Sequence, residues 1–441
     1  MQLYDSLSKT KKNLNKKTIN LYCCGPTVYN YIHIGNARPV LLVDVLIRYL
    51  KSRNIKVNYL QNITDIDDKI ILKALDNNLN ELEISQKYTN AYLEDLKSLN
   101  INQPDKIILI SQKMNEMIDF IKNLVDINAA YVLDGDVYFD IKKYENEYCK
   151  LSGYKLDELI GGKRVEIDSK KHYSLDFSLW KKTDIGIKWN SVFGLGRPGW
   201  HTECVLLIDE YFNHQTIDIH VGGIDLKFPH HENERIQFIA KNNKELAHIW
   251  LHNGHLQIND EKMSKSLGNV ILVRDFIKQH NKNTLRWIFL TSNYTQPLNI
   301  SDDLIYQANK FFEKLTNLSK KTIQFIIKND LKIQSINSSE YINKFNEYME
   351  DDLNTSLVLS LIDSLIKQIN KDIVDKNLDN FNLLIGSLNY ILDVLGFDNV
   401  FNYKFDNKTK ELFLKWQELV KNKEFNKADI IRNKLIEQGI L

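Results

Sequence analysis

"NLYCCGPTVYNYIHIGNARPV", residues 20–40, sets two adjacent cysteines, Cys23 and Cys24, ahead of a Gly25–Pro26 turn and a lone His33. The residues leading into it, "TINLYC" at 18–23, alternate and then break at the glycine-proline pair, the pattern of a strand that ends in a loop. "ARPVLLVDVLIRYLKSR" follows with Val40, Val43, Leu46, Ile47 and Leu50 at helical spacing, and "KVNYLQNIT" reads as a second strand. Strand, loop, helix and strand within roughly fifty residues make a βαβ unit, whose crossover demands a parallel sheet. Ligands of such sheets collect beyond the carboxyl ends of the strands. The cysteine-bearing loop and "NITDIDD", residues 62–68, therefore fall on a binding edge.

Outward from this unit, the pattern is helical to about residue 125, and 126–195 is a mixed stretch of short strands and turns that reads as an insertion. The sheet resumes at "TIDIHVGGIDL", 216–226, and a strand candidate at 249–258 runs into "NDEKMSKSLGN". Beyond about 300 nearly everything is amphipathic helix, as in "DLNTSLVLSLIDSLIKQI". The expected architecture is α/β: a Rossmann-type parallel-sheet nucleotide-binding domain in two halves, 1–125 and 196–300, with 126–195 inserted. An all-α bundle at 301–400 and a C-terminal helical segment at 401–441 complete it.

Composition narrows the class. The 441 residues exceed one small core, and 58 Lys+Arg against 57 Asp+Glu leave no bulk field that announces a nucleic-acid partner. Four cysteines are too few for a disulfide scaffold and suit free thiols or a metal site in a reducing compartment. No stretch approaches the ~20 apolar residues that span a bilayer, nor is there a signal-peptide run at the start. A cytoplasmic protein with no membrane partner is the expectation.

Three motifs carry chemistry. "HIGN" at 33–36 opens the first helix, where backbone N–H groups and the helix dipole attract anions and His33 can donate to a phosphate oxygen. "KMSKS" at 262–266 offers several donors to a triphosphate, against the bland alternative of a solvated basic turn. "PHHENE" at 229–234 puts His230 and Glu234 at i and i+4 on one helical face, and the isolated Cys24 and Cys204 could complete a tetrahedral set for zinc. Without the cysteines such a cluster is more often a surface or core pair. His231 and Glu232 fall about a third of a turn or more off that face and are expected to support the ligands from outside the set or to be structural.

Taken in order, "YCCGPTVYNYIHIGNARP", "NITDIDDKI", "GRPGWHTEC", "HVGGIDLKFPHHENE" and "KMSKSLGN" resemble the cysteinyl-tRNA synthetase family of class I aminoacyl-tRNA synthetases. The resemblance implies activation of L-cysteine by ATP, with magnesium on the triphosphate, and transfer to tRNA(Cys) by a monomer. It implies one zinc ion per chain held by Cys24, Cys204, His230 and Glu234, which selects the substrate thiolate over serine and makes a separate editing domain unnecessary. Catalytic roles fall on His33, Asn36, Lys262 and Lys265, and nucleotide contacts on Thr27, His33, Gly35, Asn36, Asp225 and Lys265. Thr64, Trp200 and His220, beside Thr27, would line the cysteine pocket. Core packing is the alternative for Trp200, and helix capping for Asp225.

Three departures from the family pattern stand out. "HIGN" has Asn36 where the class has a second histidine, and "HVGGIDL" has Val221 where glycine is common. The chain also ends at Leu441, short of a Trp/Arg-bearing tail, so the last segment is expected to be a shortened anticodon-side part. Two rival readings remain: a ligase joining cysteine to a glucosaminyl-inositol in mycothiol synthesis, and a non-catalytic tRNA-binding paralogue. The long helical region argues against the first, and intact His33, Lys262 and Lys265 against the second.

Overall fold

A computed structural model of the chain describes residues 1–160, 171–264, 267–332 and 337–441. An N-terminal hairpin of β1 (Gln2–Asp5) and β2 (Thr10–Asn13) leads into β3 (Thr18–Cys23), followed by α1 (Ile34–Ser52) and β4 (Lys56–Ile63). Next come α2 (Asp68–Asn77), α3 (Glu81–Ser98) and β5 (Lys106–Leu109). The expected βαβ unit is thus present. His33 is the N-cap of α1, its Nδ1 accepting from the Asn36 N–H while Asn36 Oδ1 accepts from the His33 N–H, a reciprocal capping box.

After α4 (Met114–Asp126) the inserted region builds its own antiparallel sheet from β6 (Ala130–Leu133), β7 (Asp136–Phe139), β8 (Phe177–Lys182), β9 (Trp189–Ser191) and β10 (Gly194–Pro198), with the short α5 (Leu156–Ile160) between β7 and β8. The insertion does not fold apart from the main sheet: Tyr22, Leu60 and Phe120 share one buried core with Phe139, Leu179 and Trp180. The chain then runs through α6 (Glu203–Tyr211), β11 (Ile217–Gly223), α7 (Glu232–Asn242) and β12 (Ala247–Asn253). The hairpin β13 (Leu256–Ile258) and β14 (Glu261–Lys262) and the helix α8 (Val273–Gln279) follow.

The main sheet has the order β12-β11-β3-β4-β5, every neighbouring pair parallel. Cys23, the last residue of β3, pairs with Val221 on one side and Gln61 on the other, each two residues before the end of its own strand, so three strands release their loops at one edge. Ile19, Leu21, Tyr22 and Cys23 are all fully buried, the signature of a strand covered on both faces.

By its contacts the chain divides into two compact units, Met1–Lys282 with Tyr294–Asn299, and Asn283–Asn293 with Ile300–Leu441. The helical unit holds α10 (Asp302–Lys328), α11 (Ser339–Glu350), α12 (Thr355–Asp375), α13 (Leu378–Val394), α14 (Asn407–Lys421) and α15 (Phe425–Glu437), and α9 (Lys282–Leu290) leads into it. A boundary near 300 therefore misses one segment. Arg286 donates to the Leu395 carbonyl at 3.1 Å, and Thr355 Oγ1 to that of Leu290 at 2.8 Å, which ties 283–293 to the helices. No helix of the described residues is long and apolar enough to cross a membrane.

The turn after β3 depends on a close backbone approach. A Cβ added at Gly25 would stand 1.7 Å from the Asn62 main-chain carbonyl oxygen, while the Gly25 N–H donates to Asn62 Oδ1 at 2.7 Å. Gly25→Ala should lower unfolding stability by about 2 kcal/mol in denaturant titration, through the overpacking it forces. An unchanged midpoint would show that the loop can shift without cost.

Candidate functional site

The loops released at the sheet edge enclose a cleft of about 430 Å³ whose lining includes Cys24, His33, Trp200, Asp225, Lys262 and Met263. Cys24, one of the lining residues, belongs to a group of four donors that converge from separate elements, the other three buried. Cys24 follows β3, Cys204 sits in the first turn of α6, and His230 and Glu234 bracket the start of α7. These ligand atoms lie within 4.8 Å of one another. Cys24 Sγ is 3.8 Å from Cys204 Sγ and 3.8 Å from Glu234 Oε1, and Cys204 Sγ is 3.6 Å from His230 Nε2. A tetrahedron with ~2.3 Å metal–sulfur bonds has an edge of about 3.8 Å, so the two sulfurs already stand at ligand spacing. The set fits zinc in donor chemistry and in spacing.

Electrostatics divide the four unequally. Burial raises the Cys24 thiol well above its ordinary value, and contact with the Cys204 sulfur raises it further. Burial opposes charge on Cys204 too, but the Cys24 S–H and the His230 ring overcome it and bring its thiol down to about 6. His230 is penalised by burial, yet Glu234 and Cys204 lift its imidazole to about 10. Glu234, despite full burial, is held well below the usual carboxylate range by His230 and His220. Near neutral pH the metal-free cluster thus holds thiolate, imidazolium, thiol and carboxylate.

The histidines around this set are more closely involved than the spacing predicts. His231, expected off the face, has its Nε2 3.2 Å from Cys24 Sγ. The backbone at His231 and Glu232 is ordinary helix, so His231 reaches Cys24 from the face next to that of His230 and Glu234, where it can support a ligand from outside the four. His231 Nδ1 meets His252 Nε2 at 2.9 Å, and His252 Nδ1 meets Ser6 Oγ at 2.8 Å. Cys24, His220, His231 and Glu234 form a second, overlapping donor group. Glu232 does point away, accepting from the Ser152 N–H at 2.7 Å.

Other pocket residues take the following places. His220 does not face the cleft; its Nε2 donates to Glu234 Oε2 at 2.7 Å, and its ring stacks on Trp250. Thr64 is buried, its hydroxyl donating to Glu203 Oε2 at 2.5 Å and accepting from Asn62 Nδ2 at 3.1 Å. Glu203, which the spacing arguments passed over, is a buried carboxylate pushed well up by desolvation. Trp200 is 38% exposed and stacks on the His230 ring at 4.0 Å, so it is no core residue. Cys23 packs in the sheet, where burial pushes its thiol up to about 12.

The nucleotide side gathers the two signatures. Because His33 Nδ1 accepts the Asn36 N–H at 3.2 Å, the ring proton sits on Nε2 and can be donated outward. Burial lowers the His33 pKa, which keeps it a neutral donor. A Cβ at Gly35 would be 2.9 Å from Met263 Cε and 3.0 Å from His33 Nδ1, so glycine here lets one signature rest on the other. Ile34 N–H donates to the Ile271 carbonyl at 3.0 Å and Val273 N–H to that of Ile32 at 3.1 Å. Asn269 closes the loop, accepting from the Ser264 N–H at 2.9 Å and donating to the Lys262 carbonyl at 3.2 Å. Lys265 lies outside the described residues. Thr27 bridges to Thr64 beside the cleft, and Asp225 caps no helix, since Leu226 heads the following turn. Val221 is fully buried and paired with Leu251 and Cys23, which a larger residue than glycine satisfies.

Residues 10–310 match the family of class I (C) tRNA synthetase catalytic domains, and residues 344–398 match the DALR domain. A protein of Mycoplasma mycoides subsp. mycoides named cysteine–tRNA ligase is 96% identical over 441 residues, covering 100% of both chains. The chain belongs to the cysteine–tRNA ligase family. A Mesoplasma florum protein of the same name is 58% identical, again over 100% of both chains. Among solved structures, Mycobacterium tuberculosis methionyl-tRNA synthetase in complex with methionyl-adenylate is similar in fold, with a TM-score of 0.64 at 14% identity over 86% of this chain and 90% of that one. The family's catalytic domain thus spans the whole parallel sheet, the insertion and both signatures.

Filling the donor set requires two protons to leave, one from the Cys24 thiol and one from the His230 imidazolium. Both are bound in the metal-free protein near neutrality, so metal affinity must rise with pH. Between about pH 6.5 and 8, the logarithm of the zinc association constant should climb by about two per pH unit in competition titrations against a chelator of known affinity. A slope near zero would mean that other atoms hold the ion.

Proposed function

We propose that this chain is a cysteine–tRNA ligase that joins L-cysteine to ATP as cysteinyl-adenylate and passes the cysteinyl group to the 3′ end of tRNA(Cys). The observation that supports this most directly is the two-sulfur, imidazole and carboxylate set whose Cys24 lines the same cleft as His33 and Lys262. Zinc held by Cys24, Cys204, His230 and Glu234 would supply a soft Lewis acid that takes a thiolate in preference to an alcohol.

The rest follows from the chain's own groups. The cysteine carboxylate oxygen attacks the α-phosphorus of ATP, a P–O bond forms, and pyrophosphate leaves with the broken bond's electron pair. Charge builds on the phosphate oxygens in this step, and donors fixed beforehand stabilise it at no reorganisation cost. His33 Nε2–H, Asn36 Nδ2, the first N–H groups of α1 and Lys262 are those donors, with Lys265 added on the family resemblance. Asp225, at the end of β11, accepts from the ribose hydroxyls. In the second step the terminal ribose hydroxyl of the tRNA attacks the cysteinyl carbonyl and AMP departs. Positioning and electrostatics carry both steps, and no protein nucleophile is consumed. Magnesium would travel with the triphosphate. Four free cysteines suit the reducing cytoplasm.

The deciding experiment is cysteine-dependent ATP–pyrophosphate exchange followed by charging of tRNA(Cys). Wild-type protein should show both, with serine supporting exchange at least a thousandfold less efficiently than cysteine, a margin that shape alone cannot supply. Cys24→Ser should lose bound zinc and exchange, whereas Cys23→Ser should keep both. Exchange without any tRNA charging would point to another acceptor.

A further inference from the structure

We infer that Asn62 is a positioning residue for the two sulfur donors, setting the spacing of Cys24 and Cys204 through one series of side-chain hydrogen bonds. The inference rests on the zinc part of the function proposed above. Two sulfurs 3.8 Å apart have to be held there by the protein, because neighbouring thiolates repel one another until a cation lies between them. Cys24 and Cys204 are 180 residues apart in sequence, so no local turn can do this. The series begins at Gly25, the residue after Cys24, and ends at Glu203, the residue before Cys204.

Asn62 is the next-to-last residue of β4 and is fully buried. Its Oδ1 accepts from the Gly25 N–H at 2.7 Å and from the Tyr22 hydroxyl at 3.0 Å. A backbone N–H can only donate, so the amide oxygen must face the turn and the amide nitrogen must face Thr64. Nδ2 donates to Thr64 Oγ1 at 3.1 Å, which leaves the single hydroxyl proton of Thr64 for Glu203 Oε2 at 2.5 Å. The sense of every bond is thus set by the donors available. At the Cys24 end the consequence is direct. The Cys24 N–H donates to the Val221 carbonyl and the Gly25 N–H to Asn62, so the peptide groups on both sides of Cys24 are pinned, one by β11 and the other by a side chain of β4. At the other end Glu203 opens α6, and its carboxylate ties that first turn, with Cys204 in it, to Thr64. Thr64 and Glu203 are as buried as Asn62, so bulk water does not replace a missing link.

The test uses the full-length protein loaded with zinc, or with cobalt(II) as a spectroscopic substitute, in the variants Asn62→Ala, Thr64→Val, Thr64→Ser and Asn58→Ala. Asn58 is the control, because its Nδ2 donates to Asn20 Oδ1 at 2.9 Å and joins the same two strands nearer their other end. Zinc affinity, measured by chelator competition, should fall by about tenfold to a hundredfold in Asn62→Ala and Thr64→Val, the range expected when groups that orient metal ligands are removed. The sulfur-to-cobalt charge-transfer band should weaken in the same two variants. Thr64→Ser keeps the hydroxyl and should bind both metals as wild type does, and so should Asn58→Ala. Thr64→Val, nearly isosteric, breaks the series even where Asn62→Ala fails to fold. Wild-type affinity and an unchanged cobalt spectrum in Thr64→Val overturn the inference. An equal loss in Asn58→Ala overturns it too, by reducing the effect to a general loosening of the sheet. A wild-type protein that binds no zinc would refute the zinc reading itself, and the inference with it.

Discussion

The buried carboxylate of Glu234 is the constraint on which the site is built. It has no exposed surface, and an anion in that position survives only because each oxygen faces an imidazole, Oε1 to His230 at 2.8 Å and Oε2 to His220 at 2.7 Å. Leaving such a charge without a partner costs about 3–5 kcal/mol, a large share of a domain's stability. The two histidines come from different elements, His220 from β11 and His230 from the turn before α7. Their meeting point therefore fixes α7 against the sheet. Because β11 pairs with β3 in a register that sets His220 beside Tyr22, the same constraint determines where the chain emerges after Cys23.

A second set of contacts refers the nucleotide side to that frame. The first signature opens α1 through its own capping box, and the segment after the second signature hydrogen-bonds to it along Ile32–Ile34. Arg274, just beyond, stacks on Tyr31 at 3.7 Å and donates to Asp95 at 3.1 Å, tying the start of α8 to α3. The first signature and the segment that follows the second are therefore joined by backbone hydrogen bonds although they lie far apart in sequence. Donors held in this way need not be gathered when the triphosphate arrives, which is the condition under which electrostatic stabilisation is most effective.

The parallel sheet, the cleft edge and the pairing of His230 with Glu234 at i and i+4 are legible in the sequence because each rests on a periodicity that the fold keeps, whereas the place of Cys24 and Cys204 beside that pair was implied by the family resemblance. What escaped the sequence has physical causes. His231 takes a supporting place beside the set, but its contact with Cys24 could not be read from angular arithmetic, which gives a residue's face on a helix and not its partner. His201 and His252 belong to no spacing pattern, and only their burial, which drives both pKa values to about 3, marks them as neutral neighbours of the cluster. Asn36 was read for its donor group, while its carbonyl oxygen closes the helix cap. Residues 283–293 carry ordinary helical periodicity, which cannot say which of two cores they join.

The cysteine doublet shows how finely register sets chemistry. Period-two alternation would normally separate an inward from an outward side chain, but a sheet covered on both faces buries both, so alternation alone does not distinguish the two thiols. The distinction comes from where pairing stops. Cys23 is the last residue of β3 and is locked between Val221 and Gln61, whereas the Cys24 N–H makes one further bond to the Val221 carbonyl at 3.3 Å before the chain turns at Gly25. That turn points Cys24 toward α6 and α7, where Cys204, His230 and Glu234 wait. A slip of one residue would carry Cys23 to the cluster and leave Cys24 in the loop. Under the proposed function, discrimination between a thiol and a hydroxyl of similar size rests on this register, because shape complementarity offers only about a hundredfold between near-isosteres.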